Sequence, residues 1–335
     1  MKFIDFFAGI GGFHSGMELA GHECVGWVEW DKYARQSYKA IYNTKGIYTA
    51  HDITKIKNGN ELPQSDVWCF GSPCTNISLA GNREGLHGKS SSMFFEVMRL
   101  LHDREEIHCP AYLFMENVKN LLSSNGGRDF AEVLIQMGKN GYDVEWQVLN
   151  SKEVVPQNRE RVFIVGHRRG VSTNKVFPVD LKKYRTENRI LADVLQKDVD
   201  KKYYLSQEKQ DLFIKKVTPE KINKQEKSNE IIQVTNIVET KSFGGNPQRG
   251  RVYSINGISP TLNTMQGGGL KPKIYNAPKV RKLTPLECWR LQGFTDEQFY
   301  KAKETGMSDS QLYKQAGNAV TVPVINAIAD ELLEG

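Results

Sequence analysis

Short apolar runs alternate with helical patterns over roughly the first 170 residues. Compact apolar runs bounded by polar or glycine residues are typical of buried strands, and apolar residues three and four apart are typical of core-facing helices. The predicted strands are Lys2–Phe7, Glu23–Glu29, Ala50–Asp52, Asp66–Phe70, Ala111–Glu116, Asp143–Asn150 and Arg161–Arg168. The predicted helices between them include Phe13–Ala20, Lys32–Ile41, Met93–His102 and Arg128–Asn140. This alternation predicts an α/β fold with a Rossmann-like, doubly wound, mostly parallel sheet.

The pattern changes after about Pro178. Residues 196–227 are rich in Lys and Glu and show little periodicity, whereas residues 234–282 are rich in Gly, Pro, Asn, Ser and Thr. Short β-like runs such as 251–255 interrupt this second stretch. The composition predicts a smaller, loop-rich domain that contains β-structure.

Helical patterns return at 284–291 and 322–333, and we expect the last helix to rejoin the first domain. We therefore predict a discontinuous first domain of residues 1–178 plus 310–335, with residues 179–309 forming the second.

Composition excludes several classes of protein. Among 335 residues, 39% are hydrophobic, which is enough for a sizeable core. No apolar stretch approaches the roughly 18–20 residues that span a membrane, and no signal region precedes the first strand, so a cytoplasmic protein is expected. The five cysteines are odd in number, widely spaced and without a CxxC pair. This spacing argues against a disulfide framework or a metal site and fits a reducing compartment.

Basic residues are concentrated in one segment, Lys241–Lys282, which we call the basic window. The chain has a net charge of +6, and the basic window holds eight Lys and Arg residues with no Asp or Glu. A basic stripe without acids is the electrostatic footprint expected for a phosphate backbone. A solvated loop face is the alternative interpretation.

The first predicted strand runs into a glycine turn containing Gly9 and Gly11. A strand, a glycine turn and a helix form the nucleotide-binding arrangement of Rossmann-like folds. The dinucleotide fingerprint needs a third glycine at position 14, where the chain has His14. A cofactor that lacks a pyrophosphate relaxes this requirement, although a merely structural turn is also consistent with the pattern.

Acidic and aromatic residues follow the next two strands. Glu29 lies 18 residues past Gly11, where an acid accepts hydrogen bonds from ribose hydroxyls. Trp30 offers a ring for adenine, and Asp52 offers an acceptor for an adenine amino group. An adenosine pocket without a phosphate cradle points to S-adenosylmethionine, unless these acids are simply solvated.

Cys74 and Glu116 each follow an apolar run, so both are expected at the carboxyl edge of the sheet. Pro73 fixes the backbone before Cys74, and a cysteine attacks as its thiolate. Partial desolvation suits Glu116 to hydrogen-bond or protonate a ring nitrogen near neutral pH. Taken alone, the Pro-Cys step also fits a buried turn thiol.

Arg159 and Arg161 enter the last predicted strand two residues apart, so both are predicted on one face. Arg161 is a candidate partner for Glu116 or for a ring carbonyl. The alternative is that both arginines are ordinary surface charges.

The ordered motifs resemble those of the DNA (cytosine-5)-methyltransferase family, of the bacterial restriction–modification or phage type. The match runs nearly end to end and is specific as a set. Its motifs are Asp5–Gly12, Glu29–Asp31, Asp52–Ile53, Gly71–Ser78, Glu116–Val118, Gln157–Arg161, Arg281–Cys288, Leu291–Phe294 and Gln315–Val320. Two residues depart from common family choices: Thr75 stands where many relatives carry Gln, and Ala319 where some carry Ser. Residues 175–230 follow no pattern that aligns.

The resemblance implies roles for these residues. Cys74 would be the nucleophile, Glu116 would contact cytosine N3 and its amino group, and Arg161, assisted by Arg159, would support the base. The implied S-adenosylmethionine contacts are Phe7, Gly9, Gly11, Glu29, Trp30, Asp52, Ile53, Pro73, Met93, Asn318 and Ala319. The basic window would belong to a target-recognition domain whose DNA-reading part spans about 234–282. The implied DNA contacts are Ser78, Gln248, Arg249, Arg251, Thr261 and Leu262.

The implied activity is methylation of carbon 5 of a flipped-out cytosine within a short duplex DNA sequence. S-adenosyl-L-methionine would be the cofactor, and S-adenosyl-L-homocysteine would be the product. The enzyme is expected to be a monomer that acts near the nucleoid. A cognate restriction endonuclease is a possible functional partner that need not bind the enzyme. The implied role of the methylation is to protect DNA from restriction.

Three alternatives remain at this stage. A tRNA cytosine-5 methyltransferase would use the same chemistry, but the long recognition insert argues against it. The broken glycine fingerprint and the Cys74–Glu116 pair oppose a nucleotide-dependent oxidoreductase. A catalytically idle DNA-binding protein is disfavoured because all the proposed catalytic groups are present.

Overall fold

The computed structural model describes residues 1–72, 92–185, 190–218, 226–238, 240, 242–267 and 269–333. Its strands are β1 Lys2–Phe6, β2 Glu23–Val28, β3 Tyr48–Ala50, β4 Val67–Phe70, β5 Tyr112–Val118, β6 Tyr142–Asn150, β7 Gln157–Asn158, β8 Glu160–Arg168, β9 Gln233–Asn236, β10 Arg251–Ser254, β11 Ser259–Pro260, β12 Lys273–Asn276 and β13 Lys279–Lys282. Its helices are α1 Gly12–Leu19, α2 Lys32–Ile41, α3 Ser92–His102, α4 Arg128–Lys139, α5 Leu191–Val194, α6 Gln207–Lys216, α7 Pro285–Arg290, α8 Asp296–Glu304, α9 Asp309–Asn318 and α10 Val322–Leu333.

Seven strands form one sheet in the order β3-β2-β1-β4-β5-β8-β6. The first five of these are mutually parallel. The predicted doubly wound α/β sheet is therefore confirmed. Strand β8 runs antiparallel to β5, with Glu116 opposite Phe163 and Val118 opposite Arg161.

Burial on both faces explains the apolar runs of the central strands. All four residues of β4 are fully buried, and β1 is buried from Phe3 onward. The core around them includes Trp68, Phe70, Leu113 and Met115. Parallel strands covered by helices on both faces read as continuous apolar runs rather than as alternating ones.

The C-terminal helix α10 packs against the N-terminal helix α1. Gly16 makes this close approach possible, because a Cβ there would stand 2.5 Å from Ile325 Cβ. His22 reinforces the contact, since its Nε2 lies 3.0 Å from the carbonyl oxygen of Ala329. The expected return of the last helix to the first domain agrees with this packing.

The chain divides into two compact units. The first unit comprises residues 1–149, 160–181 and 322–335, and the second comprises 150–159 and 182–321. These bounds differ from the predicted 1–178 and 310–335, because the second unit takes in an excursion at 150–159 and also keeps α9.

The second unit contains a four-stranded sheet in the order β13-β12-β10-β9. Its core is small and is formed by Phe213, Val234, Ile237, Val252 and Val280. Helices α5, α6, α8 and α9 are additional to the elements predicted from the sequence.

A buried ion pair links β13 to α7 in the second unit. The Arg281 guanidinium donates to both oxygens of Glu287 at 2.7 and 2.8 Å, with side chains 1% and 0% exposed. Glu287 also accepts from the backbone N–H groups of Thr284 and Gln196. The carboxylate thus completes the N-cap of α7 and holds two other segments to it.

Two findings concern the described residues alone. None of their helices is both long and apolar enough to cross a membrane. Among them, no cluster of three or more His, Cys, Asp or Glu side chains is arranged to hold a metal ion.

Candidate active site

The glycine turn after β1 uses backbone conformations that favour glycine. Gly9 has φ of 56° and Gly11 has φ of 84°. At Gly11 a Cβ would also stand 2.3 Å from the ring of Tyr42, whose hydroxyl donates to the Gly11 carbonyl at 2.7 Å. By contrast, no described atom lies within 4 Å of a Cβ placed on Gly9. The turn is therefore braced on one side by Tyr42 and open at Gly9.

His14 stands where the dinucleotide fingerprint has its third glycine, and its ring packs against the C-terminal end of helix α2. The ring stacks on Tyr42 with 3.8 Å between centroids and lies within hydrogen-bonding distance of the Tyr38 hydroxyl. Beneath the turn, burial raises the pKa of the Asp5 carboxyl well above its ordinary range. This packing gives a physical reason for the departure from the dinucleotide fingerprint. Neither Tyr42 nor Tyr38 was predicted from the sequence.

Glu29 follows β2 and braces the glycine turn from the other side. Its carboxylate accepts from the N–H of Gly9 at 2.8 Å and from the N–H of Asp31 at 2.6 Å. Burial raises the pKa of Glu29 above its usual value, although these backbone donors oppose the shift. Trp30, beside it, is 74% exposed. Asp31 caps α2, so its carboxylate has a structural partner.

The third strand ends earlier than predicted. Strand β3 stops at Ala50, and Asp52 instead caps a short 3₁₀ turn over Ile53–Lys55. The Asp52 carboxylate accepts from the N–H and the hydroxyl of Thr54 at 2.9 and 2.7 Å. The capping bond explains the correction, because an acidic side chain that satisfies the first N–H groups of a turn favours the turn over a strand.

Phe7, Ile53 and Met93 belong to one apolar cluster of the first unit. Phe7 has a positive φ of 56°, which is uncommon outside glycine and marks a constrained position directly before the turn. Ile53 is buried, whereas Phe7 and Met93 are partly exposed. The open space beside Gly9, the partly buried Glu29 carboxylate, the exposed Trp30 indole and this apolar cluster together fit an adenosine group.

Glu116 and Arg161 form an ion pair across β5 and β8. Arg161 Nε lies 3.0 Å from Glu116 Oε1, and the two side chains are only 13% and 11% exposed. The antiparallel register places them as diagonal neighbours on one face of the sheet. Glu116 lies two residues before the end of β5, so the prediction that it sits at the strand terminus is wrong. The alternative that Arg161 is an ordinary surface charge is also wrong.

Asn117 joins the ends of β5 and β4. The side chain is 1% exposed, and its amide donates to the carbonyl oxygen of Ser72 at 3.3 Å. The chain that leads into the Pro-Cys step is therefore tied to the residue directly after Glu116. Pro73, Cys74 and Ser78, which were predicted as cofactor, catalytic and DNA-binding residues, lie outside the described residues.

The four described cysteines are poor candidates for a nucleophile. Cys24, Cys69 and Cys288 are buried, and Cys109 is partly exposed. Burial raises the pKa of each thiol, in the case of Cys24 to about 12. A raised pKa disfavours the thiolate that attacks.

Arg159 has backbone partners in the second unit. Its side chain is buried, and its guanidinium donates to the carbonyls of Leu262 at 3.1 Å and Ala319 at 2.9 Å, with a longer 3.4 Å bond to Gly317. The prediction of an exposed surface charge is wrong for this residue too. Asn318, beside these carbonyls, is exposed at the end of α9.

The Thr261-Leu262 signature also has intramolecular partners. Thr261 donates its hydroxyl to the carbonyl of Asn158 at 2.6 Å, and Leu262 N–H donates to Gln157 Oε1 at 2.9 Å. The Leu262 side chain is 1% exposed, so its apolar group packs inside the second unit rather than facing a ligand. These bonds join two motifs that lie about 100 residues apart in the chain.

Three of the implied DNA contacts, Gln248, Arg249 and Arg251, lie on one turn, Gln248–Arg251, which we call the reading turn. Gln248 and Arg249 are exposed, while the Arg251 guanidinium donates to the carbonyl of Asn246 at 3.0 and 3.3 Å. Gly250 allows the turn to approach β9, because a Cβ there would stand 1.9 Å from Asn236 Oδ1.

Two cations of the basic window do not face solvent. Lys273 is 7% exposed and Arg281 is 1% exposed. Lys273 donates to three backbone carbonyls, and Arg281 is neutralised by Glu287. The eight positive charges counted from the sequence therefore overstate the charge that this segment presents to a partner.

Comparisons with known proteins agree with this arrangement. A family model for C-5 cytosine-specific DNA methylase matches residues 1–334. The orphan methyltransferase M.SPBetaI of Bacillus phage SPbeta is 31% identical over 441 residues, covering 99% of this chain and 97% of the relative. The type II methyltransferase M.HhaI of Haemophilus parahaemolyticus is 34% identical over 336 residues, covering 98% of this chain and 93% of the relative.

A solved structure shows the same fold at lower identity. The Entamoeba histolytica methyltransferase EhMeth matches with a TM-score of 0.71 and 17% identity, covering 99% of this chain and 97% of that one. Methyltransferases of this fold use S-adenosylmethionine, and the open glycine turn and buried Glu29 fit that cofactor. The chain belongs to the C-5 cytosine-specific DNA methylase family and is a DNA cytosine-5-methyltransferase.

Proposed function

We propose that this enzyme methylates a cytosine flipped out of a short specific duplex sequence through a covalent bond between Cys74 and cytosine C6. The observation that carries the proposal is the Glu116–Arg161 pair at 3.0 Å. Asn117, the residue after Glu116, holds the carbonyl of Ser72, two residues before Cys74. The fold thus brings Ser72, the residue before the Pro-Cys step, to the strand that carries the acid.

Cytosine C5 is too weak a nucleophile to accept a methyl group unaided. In the proposal the Cys74 thiolate forms a bond to C6, the C5–C6 π electrons shift into a C4–C5 double bond, and the displaced C4–N3 π electrons take up a proton at N3 from the protonated form of Glu116. After C5 is methylated, its proton leaves to a base, the C5–H electrons form the C5–C6 double bond, and the Cys74–C6 bond breaks, which restores the thiolate. N3 returns its proton to Glu116. Arg161 holds Glu116 in place and stabilises the carboxylate that is left while N3 carries the proton.

S-adenosylmethionine, when bound, supplies the methyl group. Glu29 already accepts from the backbone N–H groups of Gly9, Asp31 and Trp30, and a carboxylate has about four acceptor positions, so one remains for a ribose hydroxyl. The exposed Trp30 ring would stack on adenine. Within the described residues, both bonds to Asp52 use Oδ1, which leaves Oδ2 for the adenine amino group.

Arg159 acts in this proposal as a positioning residue. Its bonds to Leu262 and Ala319 hold two loops of the second unit together, one of which carries Asn318. The predicted cofactor contacts of Asn318 and Ala319 would then depend on Arg159 without any contact between the arginine and the base.

Duplex DNA is the substrate, and flipping the cytosine exposes its C5 and C6 atoms. Extrusion of a base costs a few kcal/mol, which contacts elsewhere on the duplex must offset. The exposed Gln248 and Arg249 and the partly buried Arg251 are the proposed contacts of the reading turn. We further propose that the methylation protects DNA in a restriction–modification setting and that one monomer suffices.

Cys74→Ser tests the covalent step. The variant should lose transfer of a tritiated methyl group to unmethylated duplex DNA while it retains DNA binding. Cys109→Ser is the matched control, because this thiol is partly accessible but has a raised pKa, and it should keep full activity. Full methyl transfer by Cys74→Ser would falsify the mechanism.

A substituted substrate tests the same bond independently. Duplex DNA containing 5-fluorocytosine should trap the wild-type enzyme as a denaturation-resistant adduct, because fluorine cannot leave C5 as a proton does. The adduct should be absent with Cys74→Ser. Methylation of tRNA in place of duplex DNA, measured in parallel, would overturn the substrate assignment.

A further inference from the structure

A cavity of about 540 Å³ in the second unit is lined by five cationic side chains. They are Lys209, Arg249, Lys271, Lys273 and Lys282. No acidic side chain lines this basic cavity among the residues that the structure describes. Its volume lies within the range of ligand-binding pockets.

The cations come from four separate segments. Lys209 belongs to α6, Lys282 to β13, Lys273 to β12, and Arg249 to the reading turn. Lys209 lies outside the basic window, so a count of charge along the sequence did not identify it. Lysine ammonium groups repel one another, so a fold that gathers several of them around one cavity loses stability. Such a cost is typical of a site that binds a ligand of opposite charge.

The electrostatic strain is visible at two of these lysines. Burial, together with the charges of Lys282 and Lys209, lowers the pKa of Lys273 to about 8. Burial and the charges of Lys271 and Lys209 also lower the pKa of Lys282. An anion placed among them would relieve this repulsion.

Lys273 connects the cavity to the reading turn. Its ammonium donates to the carbonyl of Arg249 at 2.7 Å, and to those of Gly269 and Lys271 at 2.8 and 3.2 Å. The cavity therefore shares a wall with the turn that carries Gln248 and Arg251. A ligand bound here would act directly on the position of that turn.

We propose that the basic cavity binds a backbone phosphate of the DNA duplex and so fixes the register of the reading turn. This inference rests on the proposed DNA substrate, and it assigns the basic cavity as the place where the protein holds the DNA backbone. Phosphate contacts orient a protein on the duplex, whereas side chains such as those of the reading turn specify the bases. The tight link through Lys273 would couple the two.

The test compares two double variants with the same change in charge. Lys209→Gln with Lys282→Gln removes two cations of the cavity. Lys215→Gln with Lys201→Gln removes two exposed cations of the second unit, one of them from the same helix, and neither lines the cavity or belongs to the basic window. Lys273 stays in place because its carbonyl bonds are structural.

Binding to a non-specific duplex is measured by fluorescence anisotropy across a range of KCl concentrations. Each phosphate contact contributes about 0.9 to the slope of log K against log salt. At 0.15 M salt, one lost contact corresponds to about a fivefold weaker affinity. The cavity variant should lower the slope by about 0.9 or more, while the control should keep the wild-type slope. Because repulsion is relieved, the melting temperature of the cavity variant should be equal to or above that of the wild type.

Equal slopes for the two double variants, with both folded, would overturn the assignment. Tight binding of inorganic tripolyphosphate to the wild type, combined with an unchanged DNA slope in the cavity variant, would assign the cavity to a free anion and also overturn it. Methyl transfer to DNA is measured in the same samples. If the wild-type enzyme methylates DNA but the two double variants have the wild-type slope, only the cavity proposal fails. If the wild-type enzyme transfers no methyl group to DNA, the proposed function itself fails.

Discussion

Glu116→Gln offers the sharpest test of the proposed chemistry, because the change keeps the shape of the side chain and removes its charge. At 3.0 Å, the attraction between Arg161 and Glu116 is about 5–6 kcal/mol in a medium of effective dielectric constant near 20. Desolvation offsets most of it, since the two side chains are 13% and 11% exposed. Gln retains an acceptor for Arg161, so we expect a loss of stability of only about 1–2 kcal/mol.

The expected loss of catalysis is larger than the loss of stability. Proton transfer by a positioned side chain contributes about 10²- to 10⁴-fold, which corresponds to roughly 3–5 kcal/mol of activation free energy. The rate constant is measured in a single turnover, with tritiated S-adenosylmethionine and saturating unmethylated duplex DNA. The melting temperature of the variant should fall by about 2–8 °C, so the protein stays folded at 25 °C.

Glu160→Gln provides the matched control. Glu160 lies next to Arg161 on β8, but its carboxylate pairs with Lys119 at 3.0 Å and is half exposed. Its loss should leave the rate unchanged. A rate for Glu116→Gln within threefold of wild type, with normal DNA binding, would refute the role of the carboxylate. In the double variant of Glu116→Gln and Arg161→Met, the two losses should be less than additive, because the arginine acts through the acid.

Three further outcomes are expected. Glu287→Gln should destabilise the second unit by about 3–5 kcal/mol in urea, because Arg281 is left buried without a counter-charge, and adding Arg281→Met should recover part of the loss. Tyr42→Phe should weaken binding of S-adenosylmethionine in calorimetry, with a smaller effect on kcat, because the 2.7 Å bond that braces Gly11 is lost; unchanged affinity would contradict this. DNA binding at pH 8–8.5 should take up protons, because a phosphate would raise the pKa of Lys273 from about 8. In calorimetry this uptake appears as a binding enthalpy that depends on the ionisation enthalpy of the buffer.

The sequence predicted the sheet well because compact apolar runs bounded by polar or glycine residues mark buried strands without any tertiary information. It could not predict that β8 runs antiparallel, since an apolar run carries no direction. Charge counting failed at Lys273 and Arg281, whose burial depends on carbonyls and an acid supplied by the folded chain. Tyr42 was missed because it meets Gly11 across 31 positions, and no local motif joins them. The pairing of Glu116 with Arg161 was anticipated, whereas the place of Glu116 on β5 depended on the register with β8.

The packing of α10 on α1 has a consequence for how the protein is made. The ribosome synthesises α10 after the whole second unit, so during translation α1 and the glycine turn behind it lack their final support. The glycine turn should reach its final form only once α10 has been synthesised and packed, and nascent enzyme would have little capacity to modify DNA before then. Because the packing is noncovalent, a peptide of residues 322–335 supplied separately should complement a chain that ends at position 321, which would make activity switchable by an added fragment.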